Sequence, residues 1–146
     1  MRILVFLVLA GAATAQAPST FKPKVSGNLK QVMRSILRPN SDIIFDVQAA
    51  APKNDMDWNT VQNAAIALEE AMNLVAMPGR LREDGKSVPV QRADWVKYEQ
   101  GVVAAGQACY KAAQSKNPEA VSNCTDQLAD SCAACHDVYR DKPQPK

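Results

Sequence analysis

Histidine is almost missing from this chain: His136 is the single one in 146 residues. A Ser-His-Asp hydrolase or a multi-histidine metal site would have to be built around that one side chain. Aromatic residues are also scarce, at 5%, while Ala-rich stretches fill the middle of the chain. That argues against strands, which favour β-branched and aromatic side chains. Charge of one sign is lacking as well, because a net charge of +2 is too little for a nucleic-acid-binding surface. Residues 3–10 form an apolar run well short of the roughly twenty residues a bilayer span needs, and no later segment is long enough. What is present, 47% hydrophobic and 22% charged residues, is the balance of one ordinary globular domain and excludes disorder or a polytopic membrane protein.

The amino-terminal residues read as a targeting segment. Arg2 supplies a short positive start, residues 3–10 the apolar stretch, and Ala13-Thr14-Ala15 the small-x-small form of a signal-peptidase site. We therefore expect residues 1–15 to be a cleaved signal peptide, with Ala17 as the alternative cleavage point, and residues 16–146 to be the mature domain. An uncleaved anchor fits the short apolar run less well. The mature chain is expected in the periplasm, where disulfides persist.

Four helices follow. Val25, Leu29, Val32, Met33, Ile36 and Leu37 line one helical face. Pro39 is expected to stop or kink that helix, with Asn40, Ser41 and Asp42 capping a short continuation through Ile44 and Val47. A second helix over about residues 57–76 carries Trp58, Val61, Ala65, Leu68, Met72 and Val75 inward, and Pro78-Gly79 ends it. A loop of charged residues, Gly85 and Pro89 leads to a third helix over about residues 91–115, with Trp95, Tyr98, Val102, Ala105 and Cys109 on one stripe. Asn117-Pro118, an N-cap followed by proline at the first helical position, opens the fourth. Its stripe is Val121, Cys124, Leu128, Cys132, Cys135 and Tyr139. Amphipathic helices with short connections predict an all-α, up-down-up-down four-helix bundle.

The chemistry sits in Cys132-Ala133-Ala134-Cys135-His136, the C-x-x-C-H attachment signature of c-type haem. Two thiols add to the haem vinyl groups, and the adjacent histidine coordinates the iron. At about 100° per helical residue, Cys135 lies near −60° and His136 near +40° from Cys132, so the three share a face. A redox dithiol is the first competing reading, but no strand-helix alternation surrounds the pair. Half of a zinc site is the second, drawing on the other two cysteines.

With its C-x-x-C-H near the carboxyl terminus, continued as CAACHDVYR in an exported four-helix chain, the sequence resembles the class II c-type cytochromes, the cytochrome c-prime family. The specific likeness covers residues 128–140. The resemblance implies one covalent haem c on Cys132 and Cys135, with His136 as proximal ligand and Arg140 beside the haem. It also implies a distal residue on the first helix, where Met33 stands. In low-spin members that residue is a methionine ligand, and in high-spin members an apolar side chain blocks the site. Met33 is thus the candidate sixth ligand, against the ordinary role of methionine as core filler. Met72 and Met77 close the second helix at the same end of the bundle, and Met56 opens it at the far end.

Trp95 and Tyr98 are candidates to pack on the porphyrin edge. Lys30, Arg80 and Arg82 are candidate partners of the haem propionates, or else solvated surface charges. Cys109 and Cys124 stand at similar distances either side of the turn at Asn117, so antiparallel helices would face them and an exported chain would join them in a disulfide. No proton shuttle, nucleophile or second metal is apparent, so no enzymatic cycle is expected. The expected function is electron transfer with redox partner proteins. The alternative is a five-coordinate haem protein binding small gases such as nitric oxide or carbon monoxide. Homodimers formed through the first two helices occur in the family, and the sequence leaves the oligomeric state open.

Overall fold

The computed structural model describes residues 22–140; the expected signal peptide lies outside the described residues. The first helical rod is continuous but composite: α1 (Leu29–Val32), a π-helical segment (Met33–Leu37) and α2 (Arg38–Asp46). Three long helices follow, α3 (Asp55–Val75), α4 (Ala93–Gln114) and α5 (Pro118–Tyr139). The described residues contain no strand, only an isolated bridge between Leu81 and Ser87 in the α3–α4 loop. None of the described helices is long and apolar enough to cross a membrane.

Local chemistry sets the boundaries. Asn28 and Gln31 form a reciprocal capping box at α1: the Asn28 side chain accepts from Gln31 N–H at 3.0 Å, and Asn28 N–H donates to Gln31 Oε1 at 2.7 Å. Asn54 caps α3 through Asp57 N–H at 3.0 Å. Asn117 caps α5 through Ala120 N–H at 3.1 Å, with Pro118 at the first helical position.

Of the two expectations at Pro39, a stop or a kink, the stop is corrected. The helix passes through it, because the preceding turn widens. Proline has no N–H and its ring crowds the carbonyl four residues back. Here Arg38 N–H reaches Met33 O, five residues back, and Asn40 Nδ2 donates to Ile36 O at 2.7 Å. Asn40 thus supports the widened turn instead of capping a new helix.

The broadest interfaces are α3 on α4 and α4 on α5, while the first rod packs on α3 and meets α5 through α2. Alanines bring α3 and α4 close, with Ala64, Ala65, Ala71, Ala105, Ala112 and Ala113 all buried. A Cβ added at Gly106 would stand 2.8 Å from Glu69 Cγ and 3.4 Å from Ala65 O, so a larger residue there would have to displace the Glu69 side chain. Trp95–Tyr139, Gly101–Ser131 and Cys109–Cys124 run in opposite senses along α4 and α5, which makes these two helices an antiparallel hairpin. Ile44, Leu68, Val75, Trp95, Val121 and Leu128 are the largest apolar side chains at the centre of the core.

Candidate functional site

The inner stripe of α5 changes character along its length. Val121, Cys124, Thr125 and Leu128 are buried, whereas Cys132, Cys135 and Tyr139 are half-buried and His136 and Val138 exposed. The apolar stripe therefore continues past the core and presents the C-x-x-C-H residues at the helix end. Cys109 and Cys124 are joined in a disulfide across the α4–α5 hairpin, with Cα atoms 5.2 Å apart. Cys132 and Cys135 are free thiols.

Their surroundings keep both thiols protonated. Burial pushes Cys132 up, and pushes Cys135 up to about 11, with Cys132 and the Glu99 carboxylate adding to the effect. A redox dithiol needs a lowered thiol pKa to generate its thiolate, so these directions oppose that reading. The disulfide also removes two of the four cysteines from any zinc site. Among the described residues no group of three or more His, Cys, Asp and Glu side chains is arranged to hold a metal ion.

His136 is pulled the other way. Although the residue is exposed, partial desolvation of its ring lowers its pKa first and the Arg140 guanidinium second, against the opposing charge of Asp137. Its imidazole is thus neutral at neutral pH, the form that binds a metal. Arg140 is the C-cap of α5: its backbone is extended, yet its N–H still closes the last turn on His136 O at 3.1 Å. The guanidinium acts on His136 from outside the helix proper.

Around this end lies an aromatic and acidic cluster supplied by α4. Trp95 is buried and meets Tyr139 edge-on at 4.8 Å between ring centres, and Tyr98 meets the same ring at 6.2 Å. Tyr139 donates its hydroxyl to Asp94 Oδ2 at 2.7 Å. Arg92 grips both Asp94 oxygens at 3.0 Å, and its hydrogen bonds, with that of Tyr139, hold the carboxyl well below the usual range. One turn on, Glu99 accepts the Trp95 indole N–H, and burial raises its pKa. Asp94 and Glu99 were not singled out from the sequence. Their only signal there is position, Asp94 beside Trp95 and Glu99 one turn after it.

The other expected site residues lie on the first rod, on α3 and in the loop that leaves α3. Met33 opens the π-helical segment, half-buried against the core. Lys30 is ion-paired with Glu83. Arg80 is not a solvated charge: it is 2% exposed. Its guanidinium donates to Leu74 O at 2.8 Å, Gly27 O at 2.9 Å and Ser26 O at 3.2 Å, which ties the chain before α1 to the end of α3. Arg82 lies 3.5 Å from Asp84 within its own loop. Met72 is buried core, Met77 touches Arg80, and Met56 is 73% exposed.

The donor set fits a covalently attached haem. Two neutral, half-buried thiols stand one helical turn apart, followed at once by a neutral exposed imidazole and flanked by packed aromatic rings. In comparisons with protein-family models, curated proteins and solved structures, nothing matches this chain.

Proposed function

We propose that the protein is an exported monohaem c-type cytochrome of class II character that carries electrons between partner proteins. The observation that carries this reading is the division of labour among the cysteines. One pair is spent on the α4–α5 disulfide, and the other is left as free thiols in C-x-x-C-H spacing at the end of α5.

The chain's own residues would act as follows. Cys132 and Cys135 would each add S–H across a vinyl double bond, leaving two thioethers and no released product. His136, held neutral, would take the proximal position. Trp95, Tyr98 and Tyr139 would shield one edge from water, and the Arg92–Asp94 pair would fix the Tyr139 ring. A bound haem would supply an iron that alternates between ferric and ferrous states. Electron transfer is favoured where little has to rearrange when the charge changes.

An up-down-up-down arrangement supports Met33 as the distal residue. Leu29 N–H bonds Leu81 O at 2.8 Å in the loop that leaves α3, and Asp94 at the start of α4 holds Tyr139 at the end of α5. At the opposite end, Gln48 Nε2 lies 3.3 Å from both Ser122 Oγ and Asp126 Oδ1 of α5. Counting fifteen residues back from Gln48 reaches Met33. The same count forward from Ser122 reaches Asp137 in the last turn of α5, and from Asp126 it passes the end of that helix at Tyr139. At about 1.5 Å per residue, antiparallel rods would put Met33 level with the last turn of α5.

The test is the absorption spectrum of protein matured with haem, oxidised and reduced, before and after carbon monoxide. A low-spin spectrum unmoved by carbon monoxide is the expected result. A high-spin spectrum that shifts would transfer the reading to gas binding, and a colourless product from a competent host would overturn it.

A further inference from the structure

We infer that the π-helical segment Met33–Leu37, held open by Pro39, turns Met33 out of the core face of the first rod and onto the flank facing α5, so that Pro39 is a positioning residue for the distal methionine. This rests on the haem reading above.

The argument is one of helical phase. At about 100° per residue, an uninterrupted α-helix would place Met33 within about 40° of Leu37, and Val32 about 140° away. Leu37 and Ile44 mark the core direction, since both are buried. Met33 would then be central core and Val32 a margin. The structure has the reverse: Val32 is 6% exposed, while Met33 is only half-buried. A π turn holds one residue more than an α turn, so everything before it is rotated by about 100°. After that rotation Val32 falls within about 40° of Leu37 on the core side, and Met33 moves to about 60° on the other side. Gln48, just past the end of α2 and reached through two i→i−3 turns of about 120° per residue, lies about 60° from Leu37 toward that same side, and its amide reaches Ser122 and Asp126 of α5. The rotation therefore takes the thioether from the core centre toward the helix that bears the C-x-x-C-H residues.

Pro39 is what makes the widened turn the preferred one, because a regular α turn would press its ring on the Ser35 carbonyl. Alanine at 39 removes that conflict and permits the α register. Deleting the exposed Ser35 from the alanine variant takes out the extra residue, so an α register then restores Met33 to its rotated position.

The experiment uses haem-loaded protein. Pro39→Ala is expected to lose the methionine–ferric iron charge-transfer band and gain ferrous carbon monoxide binding, as Met33→Leu does. Pro39→Ala with Ser35 deleted is expected to recover the wild-type spectrum, a rescue that a role in stability alone would not give. Retention of the band in Pro39→Ala, or a folded deletion variant without recovery, overturns the inference. Pro39→Ser replaces an insoluble alanine variant. If wild type and Met33→Leu share one spectrum, the axial-ligand part of the functional reading fails separately. Oxidation of the Met33 sulfur then decides, read by peptide mass with exposed Met56 and buried Met72 as standards. Slower oxidation in Pro39→Ala upholds the inference, and an unchanged rate overturns it.

Discussion

The Tyr139 hydroxyl and the Asp94 carboxylate, 2.7 Å apart, join the last turn of α5 to the first turn of α4. The C-x-x-C-H residues lie immediately before that bond on α5. The end of the helix that carries the candidate chemistry is thus tied to the hairpin by one hydrogen bond and two edge-on ring contacts.

Tyr139→Phe keeps the rings and removes the hydroxyl. Amide exchange at residues 136–140 is expected to speed up, while the amide of buried Leu128 keeps its protection. Equal exchange across α5 in both proteins would show that the bond does not restrain the helix end.

Asp94 gives this contact a pH dependence. Its pKa in the folded protein lies below the ordinary value of 3.8, chiefly through Arg92 and then Tyr139. A depressed carboxyl stabilises the fold fully above its unfolded value, and that contribution is lost as pH falls through the folded one. The thermal midpoint of Asp94→Asn is therefore expected below that of wild type at pH 6, with the gap closing in acid below the ordinary carboxylate range. A gap that widens in acid would contradict the assignment.

The Cys109–Cys124 bridge closes a loop of sequence separation 15, for which loop-closure entropy gives about 3 kcal/mol. Replacing both cysteines by alanine should lower the urea midpoint accordingly without changing the visible spectrum of haem-loaded protein. This separates the structural pair from the functional one.

Much of this was legible in the residues. Asn117-Pro118 announces a helix start because its two cues are local, and Cys109 and Cys124 pair because the turn between them fixes the antiparallel register. The C-x-x-C-H spacing is local too. A stop at Pro39 does not form, because the rule that proline ends helices considers only the α register, and a widened turn carries the helix through. Arg80 looked like a loop charge because its acceptors, Leu74, Gly27 and Ser26 carbonyls, are assembled only by tertiary structure. Asp94 and Glu99 resemble surface helix residues until Tyr139 and Trp95 are seen beside them.

Arg80 supports a sharper expectation. Arg80→Met would leave three carbonyls without their shared donor, at a cost of about 3 kcal/mol in unfolding free energy. Lysine offers one compact ammonium in place of the planar fork, so Arg80→Lys should recover only part of the loss. A surface charge would give changes within about 0.5 kcal/mol for both, and urea titration distinguishes the cases.

The most direct test of the site asks which cysteines carry the group. Thioethers survive denaturation, whereas coordination through His136 alone does not. Protein matured with haem, then extracted with acidified organic solvent, should keep its colour in wild type and in Cys109→Ala/Cys124→Ala. Colour should be lost in Cys132→Ala/Cys135→Ala, and each single variant of that pair should retain haem through one remaining bond. Intact mass gives the same answer without colour, since thiol addition to a vinyl group adds the whole mass of the haem. Retention of haem by the Cys132→Ala/Cys135→Ala protein after extraction would move the attachment elsewhere and remove the basis for reading the end of α5 as the site.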